Sequence, residues 1–122
     1  MKFLKIIKVF FLIIMLFTCL MCQKREWKNP YDPEISRTEW VPANLQIEIV
    51  SDTELKLEWA NVSQIDGYMI EKKINNGIFS EIFRTEKSSY NDKDISLVNK
   101  SINSYTYRIR AFADKNISDA SN

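Results

Sequence analysis

The chain has 122 residues, a formal net charge of +1 and no histidine. This length suffices for one domain with a short extension, and the near-neutral charge argues against a nucleic-acid partner. Without histidine, the commonest general base and the commonest neutral metal ligand are missing. The chain also has only two glycines, so it contains no glycine-rich phosphate loop. We therefore expect no catalytic site, no cofactor and no metal site.

The first 21 residues have the composition of an export signal. Lys2, Lys5 and Lys8 are their only charged residues, and an uncharged, mostly apolar run follows from Val9 to Met21. Those thirteen residues are too few for a typical transmembrane helix, which needs about 20. They fit the core of a signal peptide, which needs about 7–15. The pattern predicts a signal peptide over residues 1–21, with an uncleaved membrane anchor as the alternative.

Two cysteines, Cys19 and Cys22, stand at the polar end of this run. Their C-x-x-C spacing occurs in redox pairs and in half of a zinc site. Both cysteines lie inside or beside the export segment, however, and the chain has no other cysteine or histidine. A cysteine at the polar edge of a short signal core instead resembles the lipidation site of bacterial lipoproteins. The resemblance implies a lipid on Cys22, with Cys19, which follows the smaller residue Thr18, as the alternative.

Residues 22–40 have a different composition, with mixed charges and no apolar periodicity. Pro30 and Pro33 each bias the preceding residue toward an extended conformation. The composition predicts a flexible tether over residues 22–40, with Trp40 packed on the domain that follows. Within it, the segment NPYDPE (Asn29–Glu34) resembles one found shortly after the lipidated cysteine in surface lipoproteins of Bacteroidetes-like bacteria.

From residue 41 onward, apolar and polar residues alternate with the period of two that is typical of β-strands. Turn signals separate these runs; Asn76-Gly77 predicts a hairpin and Asn91-Asp92 a further turn. The pattern predicts an antiparallel all-β domain of two packed sheets. Its predicted core consists of the apolar residues that are in phase: Leu45, Ile47, Leu57, Trp59, Tyr68, Ile70, Tyr105, Tyr107 and Ile109.

The charged residues within these runs are expected on the outer faces of the sheets. Glu71, Lys72 and Lys73 form a run that is typical of a solvated strand face. Arg108 and Arg110 are expected to point outward from one strand and to cover the sheet with their aliphatic stems. Asn91–Asp94 could be read as a calcium site, but Lys93 stands between its carboxylates and favours a plain turn.

Four ordered landmarks in this region resemble a fibronectin type III domain. The resemblance covers residues 41 to about 119 and implies an immunoglobulin-like antiparallel β-sandwich. It places Trp59 at the centre of the core and Tyr105 in a tyrosine corner, where the phenol bonds to backbone upstream. The landmarks are Pro42-x-x-Leu45, Leu57-x-Trp59, Gly67-Tyr68-x-Ile70-Glu71 and Tyr105-x-Tyr107-Arg108-Ile109-Arg110-Ala111.

That family ends with a seventh strand beside the sixth. Residues 113–122 reach only the start of such a strand, so we expect it to be missing or truncated and the domain over residues 41–122 to be incomplete at its C terminus. Either the sequence is a fragment of a longer protein, which we favour, or the last strand is a stub. If the protein is complete, the edge of the Tyr105–Phe112 strand is expected to be exposed, which invites pairing with another chain.

The sequence therefore predicts a non-catalytic, lipid-anchored module of the bacterial cell envelope, on the outer membrane or the cell surface. It would act as a spacer or as an interaction domain for a protein or a glycan. Its membrane contact would be the lipid anchor, and no nucleic acid is expected to bind. The alternative is the N-terminal fragment of a larger exported enzyme, such as a carbohydrate-active hydrolase, in which this domain is accessory. Fold alone does not choose between these functions.

Overall fold

The computed structural model describes residues 29–102 and 104–122. The predicted signal segment and lipidation site, at Cys22 or Cys19, lie outside these residues. Within the two described ranges, no helix could span a membrane. The secondary structure of these described residues is a series of seven strands. They are β1 (Gln46–Ser51), β2 (Glu54–Glu58), β3 (Gly67–Ile74), β4 (Ser80–Thr85), β5 (Ser89–Asp92), β6 (Tyr105–Ala113) and β7 (Asn116–Ile117).

The strands form two antiparallel sheets that pack face to face. One sheet has the strand order β1-β2-β5 and the other β4-β3-β6-β7. Alternating apolar residues of β2, β3 and β6 fill the space between the sheets, because successive side chains on a strand point to opposite faces. The all-β sandwich predicted from the sequence is confirmed, and its last strand is only two residues long.

The core lies where β2 faces β3 and β6. Trp59 meets the ring of Tyr68 edge-on, with a centroid separation of 5.3 Å. Leu45 and Tyr105 are partly buried and pack against the core. The other predicted core residues that lie buried are Leu57, Trp59, Tyr68, Ile70, Tyr107 and Ile109.

The prediction that Ile47 lies in the core is wrong, because 47% of this residue is exposed. Ile47 pairs with Leu57, and Ile49 with Leu55. Directly paired residues of antiparallel strands point to the same face, so both isoleucines face inward, as the alternation predicts. What they lack is a covering layer.

The way the two sheets stack explains why the inner face of β1 is exposed. Phe83 of β4 stacks on Tyr90 of β5 at 4.8 Å between ring centroids, which sets β5 opposite β4. At the other edge, β1 therefore lies opposite the β6–β7 side, where β7 ends at Ile117. A strand that stops so early does not reach far enough to cover β1.

Two turn predictions have different outcomes. Asn76-Gly77 lies in the connection between β3 and β4, which pair as an antiparallel hairpin as predicted. The left-handed residue of this connection is Asn75, with φ of 51°. The turn predicted at Asn91-Asp92 is wrong, because these residues end β5 and pair with Lys56 and Leu55 of β2. The strand is short and polar, so its sequence carries no alternation signal.

Candidate functional site

Residues 29–40, which we term the strap, are packed against the domain, although the sequence predicts a flexible tether over this stretch. Pro30 and Trp40 are buried, and Ile35 packs against the core. The side chain of Asn116 donates a hydrogen bond to the carbonyl of Pro30 at 2.9 Å. The packed structure therefore begins before the boundary at residue 41, because apolar side chains spaced along the strap find cover on the domain.

The carboxylate of Asp66 ties the strap to two loops. Its Oδ1 accepts a hydrogen bond from the Tyr31 phenol at 2.5 Å, and its Oδ2 accepts one from the backbone N–H of Asp114 at 2.7 Å. The bond from Asp114, followed by that from Tyr31, lowers the pKa of Asp66 below its usual value. One ionised side chain thus joins the strap, the β2–β3 loop and the β6–β7 turn.

Lys72 is buried between the sheets, although the sequence predicts it on a solvated face. Its Nζ donates to Asp92 Oδ2 at 2.9 Å and to the carbonyl of Asp94 at 2.8 Å. The phenol of Tyr107 donates to the same Asp92 oxygen at 2.7 Å. Lys72 is in phase with Tyr68 and Ile70 on β3, so the alternation that places those residues inside also places Lys72 there.

Within this buried group, the pKa values of Asp92 and Tyr107 are shifted in opposite directions. Burial raises the pKa of Asp92, but hydrogen bonds from Lys72 and Tyr107 outweigh it and leave the pKa below its usual value. Burial, together with the bond to Asp92, raises the pKa of the Tyr107 phenol. The group therefore joins strands of both sheets through a charged pair whose partners already satisfy one another.

The outer face of the β4-β3-β6-β7 sheet carries a second charged cluster. Glu71 accepts hydrogen bonds from Arg108 at 2.6 Å and from Arg110 at 2.9 Å. The guanidinium of Arg108 also lies 4.1 Å from the centroid of the Phe79 ring. Burial raises the pKa of Glu71, but the two arginines outweigh it and lower the pKa. Both arginines point outward, as the sequence predicts, and both are engaged by Glu71.

The edge of β6 is partly covered by the segment that follows β7, which corrects the expectation of a fully open edge. The N–H of Ser118 donates to the carbonyl of Ala111 at 2.9 Å, and the N–H of Ser121 to that of Ile109 at 2.8 Å. In return, the hydroxyl of Ser118 accepts from the N–H of Ala111 at 2.9 Å, and that of Ser121 from the N–H of Ile109 at 2.8 Å. Two serine hydroxyls thus replace the backbone acceptors of a regular strand.

A cleft of about 280 Å³ lies at the start of β6. Ile49 of β1, Leu55 of β2 and Tyr105 of β6 line it together with Leu97 and Ile102 from the loop before β6. Beside it, the N–H of Ser96 donates to the Tyr105 phenol oxygen at 2.8 Å, which is the bond expected of a tyrosine corner. The cleft joins the uncovered side of β1 to the open end of β6.

Within residues 29–102 and 104–122, no three Cys, His, Asp or Glu side chains are grouped to hold a metal ion. The carboxylates that are shielded from solvent, Asp92 and Glu71, are each bound to cationic side chains. The charged outer face and the cleft beside Tyr105 are therefore among the features that the described surface offers for recognition.

Comparison with known proteins identifies the fold. No family model matches the chain, and no curated protein matches it. Among solved structures, the chain is similar to the titin kinase with its flanking domains, with a TM-score of 0.58 and 21% identity over 70% of this chain. A Fn3-like protein from Clostridium thermocellum gives a TM-score of 0.55 with 16% identity, over 66% of this chain and 83% of that one. The protein FN3tt gives 0.52 with 20% identity, over 66% of this chain and 89% of that one.

These similarities extend over very different shares of the matched chains. This chain spans 16% of the titin kinase chain, but most of the length of the two smaller proteins. At these identities the likeness concerns the arrangement of the strands, which is that of a fibronectin type III domain.

Proposed function

We propose that this fibronectin type III domain is an exported, lipid-anchored and non-catalytic module of the bacterial cell envelope. It serves there as a spacer or as an interaction domain for a protein or a glycan. Support for the anchor comes from the sequence: a basic start, an apolar core of thirteen residues and Cys22 at its polar edge. Support for a non-catalytic role comes from the absence of histidine and from the pairing of the shielded carboxylates with lysine and arginine.

The observation that carries this proposal is the docking of the strap. The segment that follows the candidate lipidation site is tied to the domain through Tyr31 and Pro30. A flexible tether over residues 22–40 would let the domain move far from its anchor. Docking of the strap shortens the part of the chain that separates the domain from the candidate lipidation site. A lipid on Cys22 would then hold the domain close to the outer membrane or the cell surface.

The alternative function is that of an accessory domain at the N terminus of a larger exported enzyme, such as a carbohydrate-active hydrolase. The similarity to the titin kinase with its flanking domains favours it, because there the matching region is a small share of a chain that also contains a catalytic domain. Reading the gene downstream of codon 122 distinguishes the two: coding sequence for a catalytic domain supports the accessory function, and a stop codon opposes it.

Metabolic labelling of cells with an alkyne-tagged fatty acid tests the anchor. We expect the wild-type chain to take up label, the Cys22→Ala variant to lose it and the Cys19→Ala variant to keep it. Loss of label in Cys19→Ala alone would move the site to Cys19. An unlabelled wild-type chain that still fractionates with membranes would overturn lipidation in favour of an uncleaved anchor.

A further inference from the structure

A small cavity of about 80 Å³ lies between the strap and the β6–β7 turn. The strap contributes Asp32, Arg37 and Trp40 to its lining, and the turn and the start of β7 contribute Lys115 and Asn116. The cavity therefore exists because the strap is docked, and polar side chains from both walls meet in it.

Two hydrogen bonds join the walls of this cavity. The side-chain amide of Asn116 donates to the carbonyl of Pro30 at 2.9 Å. The N–H of Asp119 donates to the carbonyl of Arg37 at 3.1 Å. Because these bonds already hold the strap against the domain, a ligand that enters the cavity does not have to order its walls, which lowers the cost of binding.

Trp40 brings a buried hydrogen-bond donor to the lining. The residue is 4% exposed, and its indole Nε1–H has no acceptor among the described residues. Buried N–H groups nearly always have an acceptor, either in the protein or in a bound molecule. An acceptor held in the cavity would satisfy this donor.

The charged side chains of the lining are suited to an anion. Arg37 and Lys115 have no ion-pair partner among the described residues. The carboxylate in the lining, Asp32, accepts a hydrogen bond from the backbone N–H of Glu34 at 2.9 Å. Two cations and one carboxylate give the lining a net charge of +1, which a singly charged anion balances.

We propose that this cavity binds a compact oxyanion. Arg37 and Lys115 pair with its charge, and the indole N–H of Trp40 donates to one of its oxygens. A single water needs about 10–15 Å³ by the same measure, so the cavity has room for a group of about five heavy atoms. Free phosphate and the phosphodiester of a lipid headgroup share this chemistry. The proposal goes beyond the function proposed above and does not depend on the lipid anchor.

Nuclear magnetic resonance of the full-length chain in dodecyl maltoside micelles, with isotopically labelled tryptophan, tests the proposal. The probes are inorganic phosphate and dimethyl phosphate, each titrated at constant ionic strength in sodium chloride. We expect the indole N–H signal of Trp40, assigned by its loss in Trp40→Phe, to move saturably as an acceptor enters the cavity. Trp59 is the internal control, because its indole N–H is also buried without an acceptor among the described residues. Trp59 does not line the cavity, so its signal should stay in place.

Two substitutions test the cations. Arg37→Gln and Lys115→Gln should each weaken binding by about threefold or more, because each removes one positive charge from the oxyanion. The matched control is Lys93→Gln, at a side chain that is 74% exposed and lies outside the cavity, and it should bind as the wild type does. An unchanged Trp59 signal in each variant shows that the core is intact.

The two probes distinguish the sources of the anion. Tighter binding of dimethyl phosphate would support the proposal with a lipid headgroup as the ligand, and tighter binding of inorganic phosphate would support it with a free anion.

Four outcomes would overturn the proposal. They are a Trp40 signal that neither probe moves, equal movement of the Trp40 and Trp59 signals, the same movement on adding sodium chloride alone, and wild-type binding by both Arg37→Gln and Lys115→Gln. Failure of the fatty-acid labelling, by contrast, would leave the titration unchanged.

Discussion

Lys72 and Asp92 form an ion pair inside the sandwich, with 2.9 Å between Nζ and Oδ2 and side chains that are 8% and 1% exposed. Lys72 belongs to β3 in one sheet and Asp92 to β5 in the other. The pair therefore bridges the two sheets in a region otherwise filled by apolar side chains. A buried charge is tolerated when its partner and further hydrogen bonds satisfy it, and both residues have such bonds.

We predict that Lys72→Met lowers the free energy of unfolding by about 3–5 kcal/mol, because it leaves the Asp92 carboxylate buried without its cation. Urea unfolding of the purified chain, followed by tryptophan fluorescence, measures the loss. The matched control is Lys56→Met, which breaks a surface pair with Glu58 and should cost less than about 1 kcal/mol. In the double variant Lys72→Met/Asp92→Asn, part of the loss should be recovered. Equal losses for the two lysine variants would contradict the structural role of the buried pair.

The pH dependence of stability follows from the lowered pKa of Asp92. A carboxyl whose pKa is lower in the folded than in the unfolded chain stabilises the fold above its unfolded pKa, and that contribution disappears as the pH falls through the folded value. We predict that the free energy of unfolding falls between about pH 5 and about pH 2, and that Asp92→Asn makes this fall smaller. Some pH dependence should remain, because the pKa values of Asp66 and Glu71 are lowered as well. Identical pH profiles of wild type and variant would show that Asp92 is not the group concerned.

Trp59 is 6% exposed, so its truncation should leave a cavity in the core. We predict that Trp59→Ala costs about 3–5 kcal/mol, a large part of the roughly 5–15 kcal/mol that stabilises a typical domain. Trp59→Phe should cost less, because it keeps an aromatic ring. It also removes a buried indole N–H that has no acceptor among the described residues. Thermal melting followed by circular dichroism measures the loss of stability in both variants. An unchanged melting midpoint in Trp59→Ala would show that Trp59 does not stabilise the core.

Ser118→Ala tests the side-chain acceptors on the edge of β6. The substitution leaves the buried N–H of Ala111 without its acceptor, which should cost about 1–3 kcal/mol. Ser63→Ala, at an exposed position, is the control and should change the stability by less than about 0.5 kcal/mol. Faster amide exchange at Ala111 in the Ser118 variant would accompany the loss. If exchange there stays slow, another group accepts this bond.

The sequence predicts the fold well where alternation and burial coincide. Leu57, Tyr68, Ile70 and Ile109 are in phase on their strands, and each lies where a facing sheet covers it. The alternation also places Ile47 and Ile49 on the inner face, but whether that face is covered depends on how far β7 extends. Periodicity specifies a direction for each side chain, while burial depends on strands that are distant in sequence.

The features that the sequence analysis misses depend on tertiary contacts that cannot be inferred from residue type. Lys72 is in phase with the core, yet its charge suggests a solvated position, because the buried partner Asp92 lies twenty residues away. The strap has prolines and charges that are typical of a loose linker, and only its contacts with Asp66 and Asn116 show that it is docked. Both the buried charged pair and the docked strap depend on partner residues that the local sequence pattern does not identify.

If Cys22 carries the proposed lipid, the docked strap limits how far the domain stands from the membrane. Pro30 stands eight residue steps after Cys22, and an extended chain spans at most about 3.3–3.6 Å per step, so that stretch reaches at most roughly 26–29 Å. With acyl chains on Cys22, the domain could not rise further from the lipid headgroups than about one hydrocarbon thickness of a bilayer. The strap meets the domain at the β2–β3 and β6–β7 loops, so those loops would face the lipid and the cleft beside Tyr105 would face outward. Partners would have to approach the membrane surface, since the domain could not extend to meet them.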